Sequence, residues 1–275
     1  MGIIRIIGPR GAGKTTLLAA LACVSVLRYG RRLKNYKIQA QNEDAHLLID
    51  KAEDILKQGE SLEPTIIQGG LLAQPLYMFE LQVKLWFRAV EKIQLEVRDY
   101  PGEIFEALSD GTSLNPLHHE FWSECVASDV DGCLVLLADW QATDDQGTKR
   151  ILRQFTRLME ARDRLSNLRL AVAISKCERG ELWSGRLDPK LDLFSQHLPG
   201  TLSMLQSRIP PKNLRLYAVS AFGVLSRTDP RPNRVDVVGS DGRNSVLRQP
   251  KRWQPYGLID PLYWLSTAKS LNYFD

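Results

Sequence analysis

The chain has 275 residues, of which 44% are apolar and 25% charged, and its net charge is +4. These proportions exclude a mostly disordered chain, a collagen-like repeat and a coiled-coil rod, and the length fits one large domain or two small ones. So small a charge does not announce a nucleic-acid binder, and no specific nucleic-acid partner is expected. The longest apolar run, Gly132 to Ala138, has the length of a strand and falls well short of the ~18 residues that span a bilayer. Four cysteines (Cys23, Cys125, Cys133 and Cys177) show neither zinc nor disulfide spacing, which predicts a reducing, cytoplasmic setting.

In chain order, Ile3 to Ile7 is the first predicted strand, followed by a glycine-rich loop and an apolar helix from Leu17 to about Leu27. A second helix is predicted from Asp44 to Gln58, where Leu48, Ala52, Ile55 and Leu56 repeat at helical spacing. Leu62 to Pro75 reads as a loop. Tyr77 to Phe87 and Ile93 to Arg98 read as an antiparallel hairpin with its turn at Ala89 to Lys92. A helix with proline in its first turn runs from Asn115-Pro116 to Cys125. Then come a buried strand from Val130 to Asp139, an amphipathic helix from Lys149 to Leu165, and two more strands, Leu168 to Ser175 and Leu214 to Val219. Strands alternating with helices predict an α/β fold of three layers, with a mostly parallel sheet and one antiparallel edge strand.

The stretch over about 226–255 is rich in proline, glycine and arginine and is expected to be a flexible basic excursion; a closing helix follows at about 258–270. Ser226 to Gly257 carries seven Lys/Arg against three Asp, an excess equal to the charge of the whole chain. A second basic run comprises Arg28, Arg31, Arg32, Lys34 and Lys37. The ordinary reading of both is a solvated surface; the functional one is contact with an acidic partner or, peripherally, a lipid surface.

Gly8-Pro9-Arg10-Gly11-Ala12-Gly13-Lys14-Thr15 fits G-x-x-x-x-G-K-[ST] between a strand and a helix, followed by Thr16. Glycines let successive backbone N–H groups turn around phosphate oxygens, and the helix offers its positive end to the same group. Lys14 is expected to reach the outer phosphates and the Thr15 hydroxyl to ligate magnesium. Asp99-Tyr100-Pro101-Gly102 follows the second hairpin strand. A carboxylate there can hold a magnesium-bound water, and the Gly102 amide can bond a terminal phosphate. His118-His119 and Cys125 form no metal set, because adjacent histidines leave a helix on different faces. Trp122, Trp253 and Trp264 are expected to be packing residues.

On these two motifs the chain resembles the P-loop GTPases of the Ras-like and translation-factor kind, the TRAFAC class, over most of Met1 to Phe222. The resemblance implies one GTPase-like domain over 1–275, GTP or GDP with Mg2+ as ligands, and three further signatures. Thr65, in Glu63-Pro64-Thr65-Ile66, stands where a switch threonine closes over magnesium. Ser175-Lys176-Cys177-Glu178 stands where N-K-x-D reads guanine, with the acid accepting from N1 and N2 and Lys176 packing along the base. Ser220-Ala221 stands where a backbone amide meets guanine O6. The chain departs from the pattern at Ser175 and Glu178. It also carries Glu103 where many members have the glutamine that orients water, Arg10 at a position that is often small, and Gly11 in place of the asparagine of potassium-activated members.

These features predict a slow, magnesium-dependent GTPase switch, with Lys14, Gly102 and Glu103 at the chemistry. A finer resemblance is to bacterial double-GTPases, carried by the helix before Pro64-Thr65, by Asp99 to Glu103, and by Gly257 to Trp264. It implies protein partners, among them a second GTPase, in a multi-protein system. An ATPase and a nucleotide-binding scaffold without turnover remain the alternatives.

Overall fold

The computed structural model describes residues 2–24, 35–58, 74–84, 90–108, 116–137, 144–237 and 245–271. A seven-stranded sheet has the order β2-β3-β4-β1-β5-β6-β7. Its strands are β1 (Gly2–Ile7), β2 (Tyr36–Ala40), β3 (Leu76–Val83), β4 (Glu91–Asp99), β5 (Gly132–Leu137), β6 (Arg169–Ile174) and β7 (Leu214–Ala218). β1 pairs in parallel with β4 and β5, and the parallel ladder continues through β6 to β7. β3 is antiparallel to β4 and to β2. The sheet is therefore mostly parallel with one antiparallel strand near its edge, the α/β arrangement of a P-loop nucleoside-triphosphatase fold.

β1 and β5 are apolar runs because helices cover both their faces. Leu134 and Leu136 join α1 (Lys14–Cys23), α2 (Glu43–Gln58) and α8 (Asp260–Thr267) in one core. Cys133, Val135 and Leu137 join α3 (Gly102–Ala107), α4 (Pro116–Cys125), α5 (Asp145–Ala161) and α7 (Pro199–Arg208) in the other. A short turn, α6 (Ser195–His197), continues a π-helical stretch, Pro189–Phe194. Trp122, Trp253 and Trp264 are buried, as expected of packing residues.

Several elements depart from the sequence pattern. α5 begins four residues before Lys149, because Asp144 caps it by accepting hydrogen bonds from the Gln146 and Gly147 amides at 3.2 and 2.7 Å. β2 went unread: its alternation is short, and its pairing with β3 is decided across 30-odd residues of intervening chain. The turn predicted at Ala89 to Lys92 overlaps β4, which already starts at Glu91. Most of the predicted loop from Leu62 to Pro75, Thr65 included, lies outside the described residues.

The expected basic excursion has regular structure among its described residues. β8 (Arg234–Asp236) and β9 (Ser245–Leu247) form a two-stranded sheet, and Asn233 and Trp253 are fully buried. Two of its arginines are paired within the stretch: Arg231 with Asp229 at 2.7 Å and Arg234 with Asp236 at 2.6 Å. No helix among the described residues is long and apolar enough to cross a membrane.

α8 opens on Asp260, whose Oδ1 is buried without a hydrogen-bond partner. Burial pushes this carboxyl up to about 7, with Arg215 opposing. The folded state therefore holds a proton that the unfolded state has already lost, and stability falls as pH rises from about 4 to about 7. Asp260→Asn removes the charge and keeps the shape, and is expected to be more stable than the parent chain at pH 8 by a few kcal/mol, the rise to about 7 counted at ~1.4 kcal/mol per pH unit. The gap should close toward pH 4. Denaturant titrations at the two pH values check this, and a pH-independent gap would sink the assignment.

Candidate nucleotide site

The glycine-rich loop leaves the C-terminal end of β1 and turns into α1. Gly11 and Gly13 have φ of +74° and +82°, the left-handed region in which a side chain is strained. Gly13 caps α1 without a side chain, and the first turn of α1 carries no acidic residue. The amides of that turn, including those of Lys14, Thr15 and Thr16, thus sit at a positive helix end that no acid of the turn itself offsets. Gly8 and Ala12 are buried at the base of the loop, whereas Arg10 and Gly11 are exposed at its tip.

Lys14 is buried. Its ammonium donates to the carbonyls of Gly8 at 2.9 Å and Pro9 at 3.1 Å, across the loop it would serve. Thr15 Oγ1 donates to Asp99 Oδ2 at 2.7 Å, joining the start of α1 to the end of β4 over 84 residues. The second oxygen, Asp99 Oδ1, is buried without a hydrogen-bond partner. Burial pushes the Asp99 carboxyl up, against the pull of Lys14 and the Thr15 hydroxyl, and burial likewise lowers the Lys14 ammonium. A buried cation, a buried carboxylate and a hydroxyl thus meet at one loop mouth.

Gly102 closes this mouth from the other side. A Cβ there would lie 2.2 Å from the Arg10 amide nitrogen, so only glycine lets α3 start against the loop. Glu103 is exposed, and its Oε1 lies 3.5 Å from Arg10 Nη1. Glu106 accepts the Arg10 amide at 2.9 Å. The sequence reading passed over Glu106, although its i,i+3 spacing from Glu103 sets both carboxylates on one helix face.

The expected base-reading residues also converge. Ser175 Oγ is buried and donates to Leu137 O at 2.8 Å. Lys176 has φ +57°, and its Cε passes 4.0 Å from where a Cβ on Gly13 would stand, so its side chain lies over the glycine-rich loop. Glu178 is only 1% exposed and pairs with Arg234 at 3.5 Å. Ser220 and Tyr256 exchange backbone hydrogen bonds at 2.8 and 2.9 Å, and Trp253 Nε1 donates to Ala221 O at 2.8 Å. The C-terminal stretch thus straps the loop after β7, which no motif announced. Among the described residues, no group of three or more His, Cys, Asp or Glu forms a metal cluster.

No family model matches the chain, and no curated protein matches it. Among solved structures the chain is similar to the crystal structure of sup35 complexed with GDP, at 14% identity and a TM-score of 0.34, over 80% of this chain and 37% of that one. The chain spans well under half the length of that protein.

Proposed function

We propose that the chain binds GTP and GDP with magnesium, hydrolyses GTP slowly and acts as a switch on protein partners. One observation carries the reading: the Thr15–Asp99 hydrogen bond at 2.7 Å, at the mouth of a left-handed glycine loop. A hydroxyl on the first turn of a phosphate-binding helix beside a buried carboxylate is a hard, oxygen-only donor pair, and Asp99 Oδ1 has no protein partner. These residues fit magnesium, which takes oxygen ligands and keeps some of its water. Thr15 and Asp99 would hold it, with Thr65 as a third candidate ligand. When bound, it would neutralise charge on the phosphate oxygens.

The chain's own groups would do the rest. Lys14 would leave the Gly8 and Pro9 carbonyls for the outer phosphates, and the loop amides would donate to phosphate oxygens as charge moves outward. Gly102 would offer its amide to the terminal phosphate, and Glu103 would orient the attacking water once released from Arg10. A carboxylate in that place repels phosphate, which accords with a low intrinsic rate. Holding and releasing Thr65 and Gly102 would give the switch. Partners are proposed to include a second GTPase, with the basic stretch after Ser226 as the contact surface.

The burial of Glu178 favours a second reading, a general P-loop ATPase that does not read its base through this residue. Competition decides between them. Unlabelled GTP and GDP are expected to displace fluorescent GDP from the magnesium-loaded protein, while ATP does so at least tenfold less well. Glu178→Gln should reduce that preference. Equal competition by ATP in the parent chain would overturn the guanine reading and leave the ATPase.

A further inference from the structure

Glu178 and Arg234 are 1% and 6% exposed, and each covers the other. Arg234 Nη1 stands 3.5 Å from Glu178 Oε1, while Glu178 Oε2 is buried without a hydrogen-bond partner. The same guanidinium is held more closely by its own hairpin. Nη2 lies 2.6 Å from Asp236 Oδ1 and also donates to Ser245 Oγ, and the group sits 5.5 Å from the centre of the Phe222 ring. Phe222 directly follows Ala221, so Arg234 lies among the residues assigned to the base. The long contact reaches toward Glu178, and the short one holds the arginine to β8 and β9.

A buried carboxylate without a counter-charge is costly, so Glu178 needs a donor whether or not a nucleotide is present. The N1–C2–N2 edge of guanine is itself a guanidine unit. It offers a carboxylate two side-by-side N–H donors, as the arginine fork does. One group can therefore replace the other.

We propose that Arg234 is an autoinhibitory latch that occupies Glu178 in place of guanine and yields when the base enters, Nη1 leaving Glu178 while the bonds of Nη2 to Asp236 and Ser245 keep the side chain on its hairpin. The inference rests on the guanine reading of the preceding section. It makes the β8–β9 hairpin an intramolecular competitor for the base. A partner that pulled this hairpin aside would speed nucleotide exchange without touching the phosphate loop.

The test uses the full chain with magnesium and ribose-labelled GDP, with affinity measured at equilibrium and association by stopped flow. Arg234→Met keeps the side chain's bulk and removes its donors. It is expected to bind GDP roughly tenfold more tightly and faster, as for a site freed from a state that is closed about nine-tenths of the time. Asp236→Asn weakens the hairpin's hold, which competes with Glu178 for the arginine, so it is expected to bind GDP several-fold more weakly. In a Glu178→Gln background, Arg234→Met should change nothing.

A normally melting Arg234→Met protein with unchanged or weaker GDP binding overturns the latch. So does a tenfold gain that persists without Glu178. Should Arg234→Met fail to fold, Asp236→Asn decides, and unchanged or tighter binding there overturns the proposal. Parent protein that binds GDP and ADP equally brings down the guanine reading and the latch together, whereas guanine preference with an unmoved Arg234→Met brings down the latch alone.

Discussion

Lys14→Ala is expected to weaken GDP and GTP binding by roughly 10²- to 10⁴-fold, since a hydrogen bond to a charged group contributes ~1.5–3 kcal/mol and the ammonium is placed to make two. That ammonium donates to the Gly8 and Pro9 carbonyls. These bonds pre-position it and are exchanged for phosphate oxygens on binding. Folding should change little. The substitution strips donors from two carbonyls but also removes a cation whose burial already disfavours its charge. Isothermal titration alongside thermal unfolding checks both halves. A folded Lys14→Ala protein that binds GDP like the parent would show that the loop does not cradle phosphate, and the functional reading would fall with it.

Glu124→Ala is expected to destabilise the fold by about 3 kcal/mol, the lower end of the range for removing one partner of a buried ion pair. Glu124, on α4, gathers two groups from the sheet and one from the residue that follows β4. Arg5 of β1 lies 3.1 Å from its Oε1, Arg98 of β4 lies 3.1 Å from the same atom, and the Tyr100 hydroxyl donates to Oε2 at 2.7 Å. Arg5 is 4% exposed and keeps only a 3.4 Å contact with Glu96 when Glu124 is lost, which places the cost at the low end. Burial pushes the Tyr100 hydroxyl up, so it stays a donor to the carboxylate. Because Tyr100 immediately follows Asp99, loosening Glu124 should also weaken magnesium-dependent nucleotide binding, by a smaller factor than Lys14→Ala. Urea unfolding reads the stability directly, and a change under ~0.5 kcal/mol, the range of ordinary surface substitutions, would show that the cluster holds nothing.

The two substitutions differ in how readable their residues were. Lys14 lies in a motif whose chemistry is local. Glycines at fixed offsets, a lysine and a threonine between a strand and a helix specify the shape of this loop because the chain contacts itself within a few residues there. The same holds for Asp99 to Gly102 at a strand end and for the apolar runs of β1, β5 and β6, whose burial on both faces shows in the sequence. Glu124 carries no such mark. In the sequence it is one acid on a polar helix face, and only the packing of α4 against β1 and β4 makes it the counter-charge of two arginines.

Four things, then, were determined by the sequence alone: the mostly parallel α/β sheet, the glycine-rich loop between β1 and α1, the carboxylate at the end of β4, and the order in which Ser175 to Glu178 and Ser220-Ala221 follow their strands. Each depends on contacts within about ten residues or on hydrophobic period. The tertiary structure alone decided that Thr15 meets Asp99 across 84 residues, that Glu106 takes the Arg10 amide, and that Arg234 covers Glu178 across 56. A stretch read as a basic excursion became a strap over the loop after β7, because burying Trp253 and pairing Tyr256 with Ser220 satisfies apolar and backbone groups that solvent would otherwise hold. Composition records how many charges such a stretch has, and only the folded chain determines which of them face one another.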